Sequence, residues 1–492
     1  MDIEYRPFWG LFCALLQFVL ELVLNLRFLA VTMKKNMSSQ QGKLTYYCLL
    51  VLLIWLPIPL ASNRPWAWGL MNIACFLILF STCVISSAQV KNTLYKFKIP
   101  LTLLAIFITW SALQILPLPI SVIEIISPKA ANLFADVNKD FATVSVDPAQ
   151  STILLLKTLA YSSIFVCTLV LCNSVKRIQV ALFFIIGSGL FQAMYGALEV
   201  LLGFQHSLFF EIPNRGVATG TFVYKNHYAN YLMLCLSIGV GFLVSTLLNQ
   251  KERTRSRQRL RNLLETLLHG KALVRIALAI MVIALVMSHS RMGNTSFFVA
   301  MTVVGLASLT LIKTRSRGLT ILIISMFVID MFILSAWFGL DKVKERLEQT
   351  TLTQETRDEV VRDSIPLLLD FPLTGSGLGS YYSIFPNYKG EDINLFYDHA
   401  HNDYLQFTIE AGIPATICLF TIAFLAIIAC IKAIRVRRNN LLRGVAFGAA
   451  MAIIGMSIHM TMDFPLQAPA NAALFMFILA LAFQANNKDI RN

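Results

Sequence analysis

The stretch Asp398-His399-Ala400-His401-Asn402-Asp403-Tyr404-Leu405-Gln406 places two imidazoles, two carboxylates and an amide within six positions, and Glu410 follows. A neutral imidazole held by a carboxylate can take a proton from a hydroxyl or position it for attack. The same residue types could hold a metal ion, but their spacing matches none of the usual zinc patterns, and no metal or other cofactor is expected. Asn402 or Asp403 can also cap a helix while serving in such a site.

Further polar clusters suggest a place for an anion. Arg215 to Asn230 contains Gly216, Gly220, Lys225, Asn226 and His227, and runs directly into an apolar segment. A cation beside a helix start favours negative charge, although cations flanking a membrane span also snorkel to water. Ser288-His289-Ser290-Arg291-Met292-Gly293-Asn294 forms a short turn between two apolar runs. An arginine so close to a bilayer usually faces a bundle interior or a wet cavity, and is a functional candidate by default. Arg357 and Arg362 precede Phe371-Pro372-Leu373-Thr374-Gly375-Ser376-Gly377-Leu378-Gly379, whose glycines read as a turn because no strand–helix phosphate loop surrounds them. His459 and Asp463-Phe464-Pro465-Leu466-Gln467 form the last cluster. Lys157, Glu199 and Asp330 lie in apolar surroundings, where they could line a cavity or pair structurally.

The elements that must carry these clusters follow from composition. The 492 residues are 57% hydrophobic and 14% charged, with a net charge of +14. Soluble domains are about 45–50% apolar and about 25% charged. Too few charges remain to solvate several soluble surfaces, and the basic residues are interrupted by long apolar runs, so a nucleic-acid partner is not expected. The composition predicts an all-α polytopic membrane protein with about 12 transmembrane helices, counted at roughly 20 residues each, and one large outer loop, which the resemblance named below makes periplasmic. The spans are expected near 45–61, 65–89, 99–117, 151–173, 179–204, 227–248, 273–289, 293–313, 319–338, 405–431, 444–462 and 471–486. Residues 1–44 form an N-terminal segment, 339–404 the large loop, and 405–492 the last spans with a short tail. The apolar stretch 9–32 carries Gln17, Glu21 and Asn25 on one stripe. It could be a further span, but reads better as a helix lying in the interface.

Lysine and arginine cluster at every second connection, from Lys34/Lys35/Lys43 through Lys251–Arg261 and Lys432–Arg443 to Lys488/Arg491. The positive-inside rule then puts both termini in the cytoplasm. It puts His206, His227, His289, His399, His401 and His459 at or near the outer face, leaving only His269 inside. The nine cysteines lie in or beside apolar runs, which indicates no disulfide framework.

The segments Gly220–Ala229, Ser290–Gly293, Asp370–Gly379, Ala400–Gln406 and His459–Gln467 resemble, in order, motifs of the bacterial O-antigen ligase superfamily. That superfamily includes O-antigen and exopolysaccharide polymerases and protein O-oligosaccharyltransferases. The resemblance implies an inner-membrane, multi-pass glycosyltransferase acting at the periplasmic face. Its donor would be a glycan on undecaprenyl diphosphate. Its acceptor would be lipid A–core for a ligase, or a second lipid-linked glycan for a polymerase. A protein O-glycosylating member ranks lower, because no long domain follows the last span. The family's loop histidine carries over to His401, its membrane-edge arginine to Arg291, and a loop arginine to Arg357. Relatives often read Asn-Arg-Asn-His where this chain has Tyr224-Lys225-Asn226-His227; lysine keeps the charge but loses the bidentate fork. On this reading Arg291, Arg215, Lys225 and Arg357 offset diphosphate charge. His401, oriented by Asp398 or Asp403, directs the acceptor, and inversion without a metal is expected. Arg362, His399, Asn226, His227, Asn402, Asp403 and Asp463 complete the expected substrate site. A transporter or lipid flippase is the rival from another class, though no internal repeat is visible.

Overall fold

The computed structural model describes residues 38–134, 140–207, 209–213, 216–248, 270–312, 324, 357–393 and 395–490. The 9–32 stretch, all but residue 324 of the span expected at 319–338, Arg215, Asp330 and the basic run 251–261 lie outside the described residues.

The architecture is helical. In chain order the described helices are α1 (Ser38–Trp55), α2 (Pro65–Ile85), α3 (Ser87–Lys96), α4 (Lys98–Gln114), α5 (Ile120–Ile126), α6 (Pro128–Phe134), α7 (Pro148–Leu171), α8 (Val175–Leu201), α9 (Lys225–Leu248), α10 (Gly270–Met287) and α11 (Arg291–Leu311). They continue with α12 (Arg357–Asp370), α13 (Tyr381–Ile384), α14 (Asp403–Ala411), α15 (Ile413–Val436), α16 (Asn440–His459) and α17 (Pro469–Asn486). A two-stranded antiparallel ribbon pairs Leu118–Pro119 with Phe141–Ala142. Among the described residues eight helices are long and apolar enough to cross a membrane, or nine if α3 and α4, bent by 91° at Phe97, form one span. Apolar stretches 42–55 and 273–287, both expected as spans, are shorter helices. The expected twelve are therefore not reached among the described residues. The chain is an all-α polytopic membrane protein.

One expected span is corrected. Residues 405–431 do not form a single helix, because the chain breaks at Gly412, whose φ is +80°. Pro414 then starts α15 where its missing N–H costs nothing. Residues 403–411 are a separate short helix.

Helices α9 and α16 form the tightest antiparallel crossing. A Cβ on Gly241 would lie 2.4 Å from the Gly444 carbonyl, and one on Gly448 2.6 Å from the Ser237 carbonyl. Small residues let these backbones meet, as is usual where lipid supplies no hydrophobic drive. The crossing sets the start of α9 beside the end of α16, so Asn226 and His227 face His459 and Asp463.

The helix ends sort onto two faces. On one, Tyr46 donates to the Arg177 carbonyl, Lys96 pairs with Asp489, and Asn440 donates to the Leu248 carbonyl at 3.1 Å. The opposite face carries the polar clusters. There, segments 118–146 and 357–409 share a second apolar core that includes Ile123, Val144, Leu367, Phe371, Tyr381 and Phe385. The two segments thus fold against each other as one cap.

Candidate functional site

The site is built where helix starts converge under this cap. Asn402 caps α14, its side-chain oxygen accepting from Leu405 N–H at 3.1 Å, while its amide donates to the Thr461 carbonyl at 3.1 Å. Ser290 caps α11 by accepting from Gly293 N–H at 3.2 Å. The same Ser290 hydroxyl donates to Asn226 Oδ1 at 2.8 Å, in the first turn of α9. Asn226 Nδ2 in turn donates to the carboxylate of Asp463. Three helix N-termini are therefore tied to the 460–467 turn. Each presents the positive end of a peptide dipole.

Phe464 is the hub of that turn. His399 stacks on its ring at 4.4 Å between centroids and 27° between planes. His401 and His227 meet it edge-on at 4.8 and 5.0 Å, and Tyr224 stacks at 5.7 Å. Residues from 224–227, 399–401 and 464, far apart in sequence, thus share one aromatic platform. His401 holds φ +51° and also meets Tyr397 edge-on at 5.6 Å. A non-glycine residue in this region is uncommon and marks a constrained position. His459 lies one layer deeper, with Nδ1 3.1 Å from the Asn230 amide.

The carboxylates have distinct places. Asp403 accepts from Leu466 N–H at 2.9 Å and from the Gln467 amide at 3.2 Å, so it grips the turn that carries Phe464. Burial pushes its carboxyl up to about 8, against those two donors. Asp398 lies 3.9 Å from His399 Nε2. Glu410, absent from the expected site, accepts from Gly379 N–H at 2.8 Å and from Gln406 Nε2 at 3.0 Å. Burial raises its carboxyl to about 7. His399 is held below the ordinary imidazole range, with burial the main cause and the nearby Asp398 opposing it.

The glycines of 375–379 make a turn: Gly375, Gly377 and Gly379 have φ of +70°, +106° and +75°. Ser376 and Gly377 N–H donate to the Ile409 and Glu410 carbonyls at 2.8 and 2.9 Å, capping the end of α14. Trp110 and Gln114 of α4 donate to the Ala411 and Glu410 carbonyls, both at 2.9 Å, and lock the same corner.

The expected cations divide. Arg291 is exposed at the first position of α11, directly after Ser290, and Lys225 begins α9 directly before Asn226. Both therefore flank the Ser290–Asn226–Asp463 chain. Arg362 stands elsewhere on the cap, exposed and bonded to Asp363 and Asp392 at 2.8 Å each. Arg357 opens α12, while Arg215 lies outside the described residues. Among the described residues no three His, Cys, Asp or Glu side chains group as metal ligands would. Phe464, Gln406 and Glu410 stand in or beside the clusters read from sequence, but residue chemistry alone gave them no place in the expected site. The i, i+4 spacing of Gln406 and Glu410 was the available signal, and Phe464 had none beyond its neighbour Asp463.

A polytopic helical bundle capped on one face, with imidazoles, amides and cations gathered under the cap, defines a membrane protein with a polar site at one surface. Residues 276–420 match the family model described as O-antigen ligase (Wzy_C), which supports the O-antigen ligase superfamily. The match takes in Arg291, His399 and His401, whereas Lys225, Asn226, His227 and Asp463 lie beyond it. No curated protein matches the chain.

Proposed function

We propose that the chain transfers a glycan from undecaprenyl diphosphate to a hydroxyl of lipid A–core, at the periplasmic face of the bacterial inner membrane. The observation that carries this reading is the convergence of His401, two helix starts bearing Lys225 and Arg291, and the Asn226–Asp463 pair around Phe464. The family match supports the reaction class.

A sugar on diphosphate already carries a good leaving group. The acceptor oxygen attacks the anomeric carbon while the bond from that carbon to the phosphate oxygen breaks. The hydroxyl proton passes to His401, and the electron pair leaves on the diphosphate. One displacement inverts the anomeric centre. Arg291, Lys225 and the α9 and α11 dipoles face charge that grows on the leaving group, where preorganised donors lower a barrier most. His401 on its aromatic platform holds the acceptor in line, which is worth several kcal/mol when geometry is near attack, on the order of 7–11.

Deleting the gene and analysing surface glycans with carrier-linked intermediates tests the assignment. Long glycan stranded on the carrier is the expected result. Single repeat units with no long chains would move the assignment to polymerisation, and unchanged glycans would overturn it.

A further inference from the structure

The hydrogen bonds around Gln406 decide which nitrogen of His399 carries the proton. Gln406 Oε1 accepts from Ala400 N–H at 3.2 Å. Turning the amide over would set its NH2 against that N–H, donor against donor, so the orientation is fixed. One Gln406 N–H then donates to Glu410 Oε1 at 3.0 Å. The other points at His399 Nδ1, 3.1 Å away, slightly closer than Oε1 at 3.3 Å. A proton on Nδ1 would stand against the closer NH2 and would have to reach past it to Oε1 at 3.3 Å, which already accepts from Ala400 N–H. Glu410 is held in turn by Gly379 N–H, so the relay runs from the glycine turn through Glu410 and Gln406 to the imidazole. His399 is three-quarters buried and clamped on Phe464, and its Nε2 edge looks towards exposed Asp398.

We propose that Gln406 and Glu410 hold His399 as the Nε2–H tautomer, and that this N–H donates to a phosphate oxygen of the substrate. His399 and His401 then divide the work: His401 receives the acceptor's proton, and His399 stabilises the departing anion. Gln406 and Glu410 are positioning residues, acting only through His399. The phosphate assignment rests on the glycan-transfer reading above, whereas the tautomer does not.

Histidine labelled with 15N on the ring, in protein reconstituted into liposomes, reads the tautomer directly, with His399→Gln assigning the resonance. The expected spectrum shows Nε2 protonated and Nδ1 bare. In Gln406→Glu the carboxylate calls a proton onto Nδ1. An Nδ1–H signal in the wild-type protein would overturn the proposal. Transfer kinetics add a second arm, because a glutamine amide can donate near the place of Nε2–H but cannot act as a base. His399→Ala should lose about a hundredfold in kcat, the cost of one such donor, while His399→Gln stays within roughly tenfold of wild type. Equal loss in both variants would also overturn the donor role. Wild-type protein that shows the expected tautomer but no transfer from a polyprenyl-diphosphate glycan would sink the functional reading and leave the relay standing.

Discussion

At the scale of single residues, Phe464 carries the site without chemistry of its own. Its ring spaces three imidazoles and Tyr224 at centroid distances of 4.4–5.7 Å. Replacing it by leucine keeps an apolar filler but removes the flat face. Transfer should fall at least about tenfold, while expression and melting in detergent stay near wild type; equal loss of both would make Phe464 a plain core residue. The buried carboxyls set a pH dependence. Asp403 at about 8 and Glu410 at about 7 bind protons in the folded chain that the unfolded chain releases near about 4. Their contribution is full at low pH and is lost as pH rises through the folded values. Ordinary histidines are half titrated at about 6.5 and nearly finished by about 7.5, so the fall in melting temperature that belongs to these carboxyls is read from about pH 7.5 to 8.5, where Asp403 still releases its proton. A rise over that window would contradict the burial of these two groups. Residue types in sequence pointed to His399, His401 and Asp463 because polar groups in an apolar chain are conspicuous. Phe464 could not be found that way, since one phenylalanine among 35 looks like any other core residue.

At the scale of elements, the corner of α14, α15 and the 371–379 turn makes the site rigid. A Cβ on Gly412 would lie 2.2 Å from the Leu373 carbonyl, and one on Gly375 2.3 Å from the Glu410 carbonyl. Both glycines also have positive φ, so alanine there meets strain and clash together. Gly412→Ala is expected to lose most folded protein, measured by size-exclusion in detergent. Gly203→Ala, also at positive φ but with open space around its Cβ, should be far milder. Hydropathy ran one span through 405–431 because Ala411, Gly412 and Ile413 are all apolar. Only backbone conformation separates a helix break there from a continuous span. The helices ahead of the break were legible from apolar length, and Pro65, Pro148 and Pro469 mark three starts.

At the scale of the whole molecule, helix ends sort onto two faces, and the alternation of basic connections in the sequence predicts that the face of Lys96 and Asp489 is the cytoplasmic one. Lys43, Lys96, Arg177, Lys432 and Arg443 lie towards one face, and His227, His399, His401 and His459 towards the other. This arrangement follows from antiparallel neighbours joined by short loops. The alternation was visible because charge in loops is independent of exact helix boundaries. The joint cap was not, since nothing in sequence pairs 118–146 with 357–409 before Ile123 and Phe371 are seen in one core. Single cysteines placed at Lys488 and at Asp398 in a variant without native cysteines should label from opposite sides of the membrane, with Asp398 periplasmic. Labelling of both from one side would refute the orientation.

The most direct test of the central claim is transfer by purified protein in liposomes, given an undecaprenyl-diphosphate glycan and lipid A–core. Wild-type protein is expected to join the two and release undecaprenyl diphosphate. His401→Ala, inserted and folded alike, should form at least about a hundredfold less product. A His401→Ala protein that transfers at the wild-type rate would contradict the account.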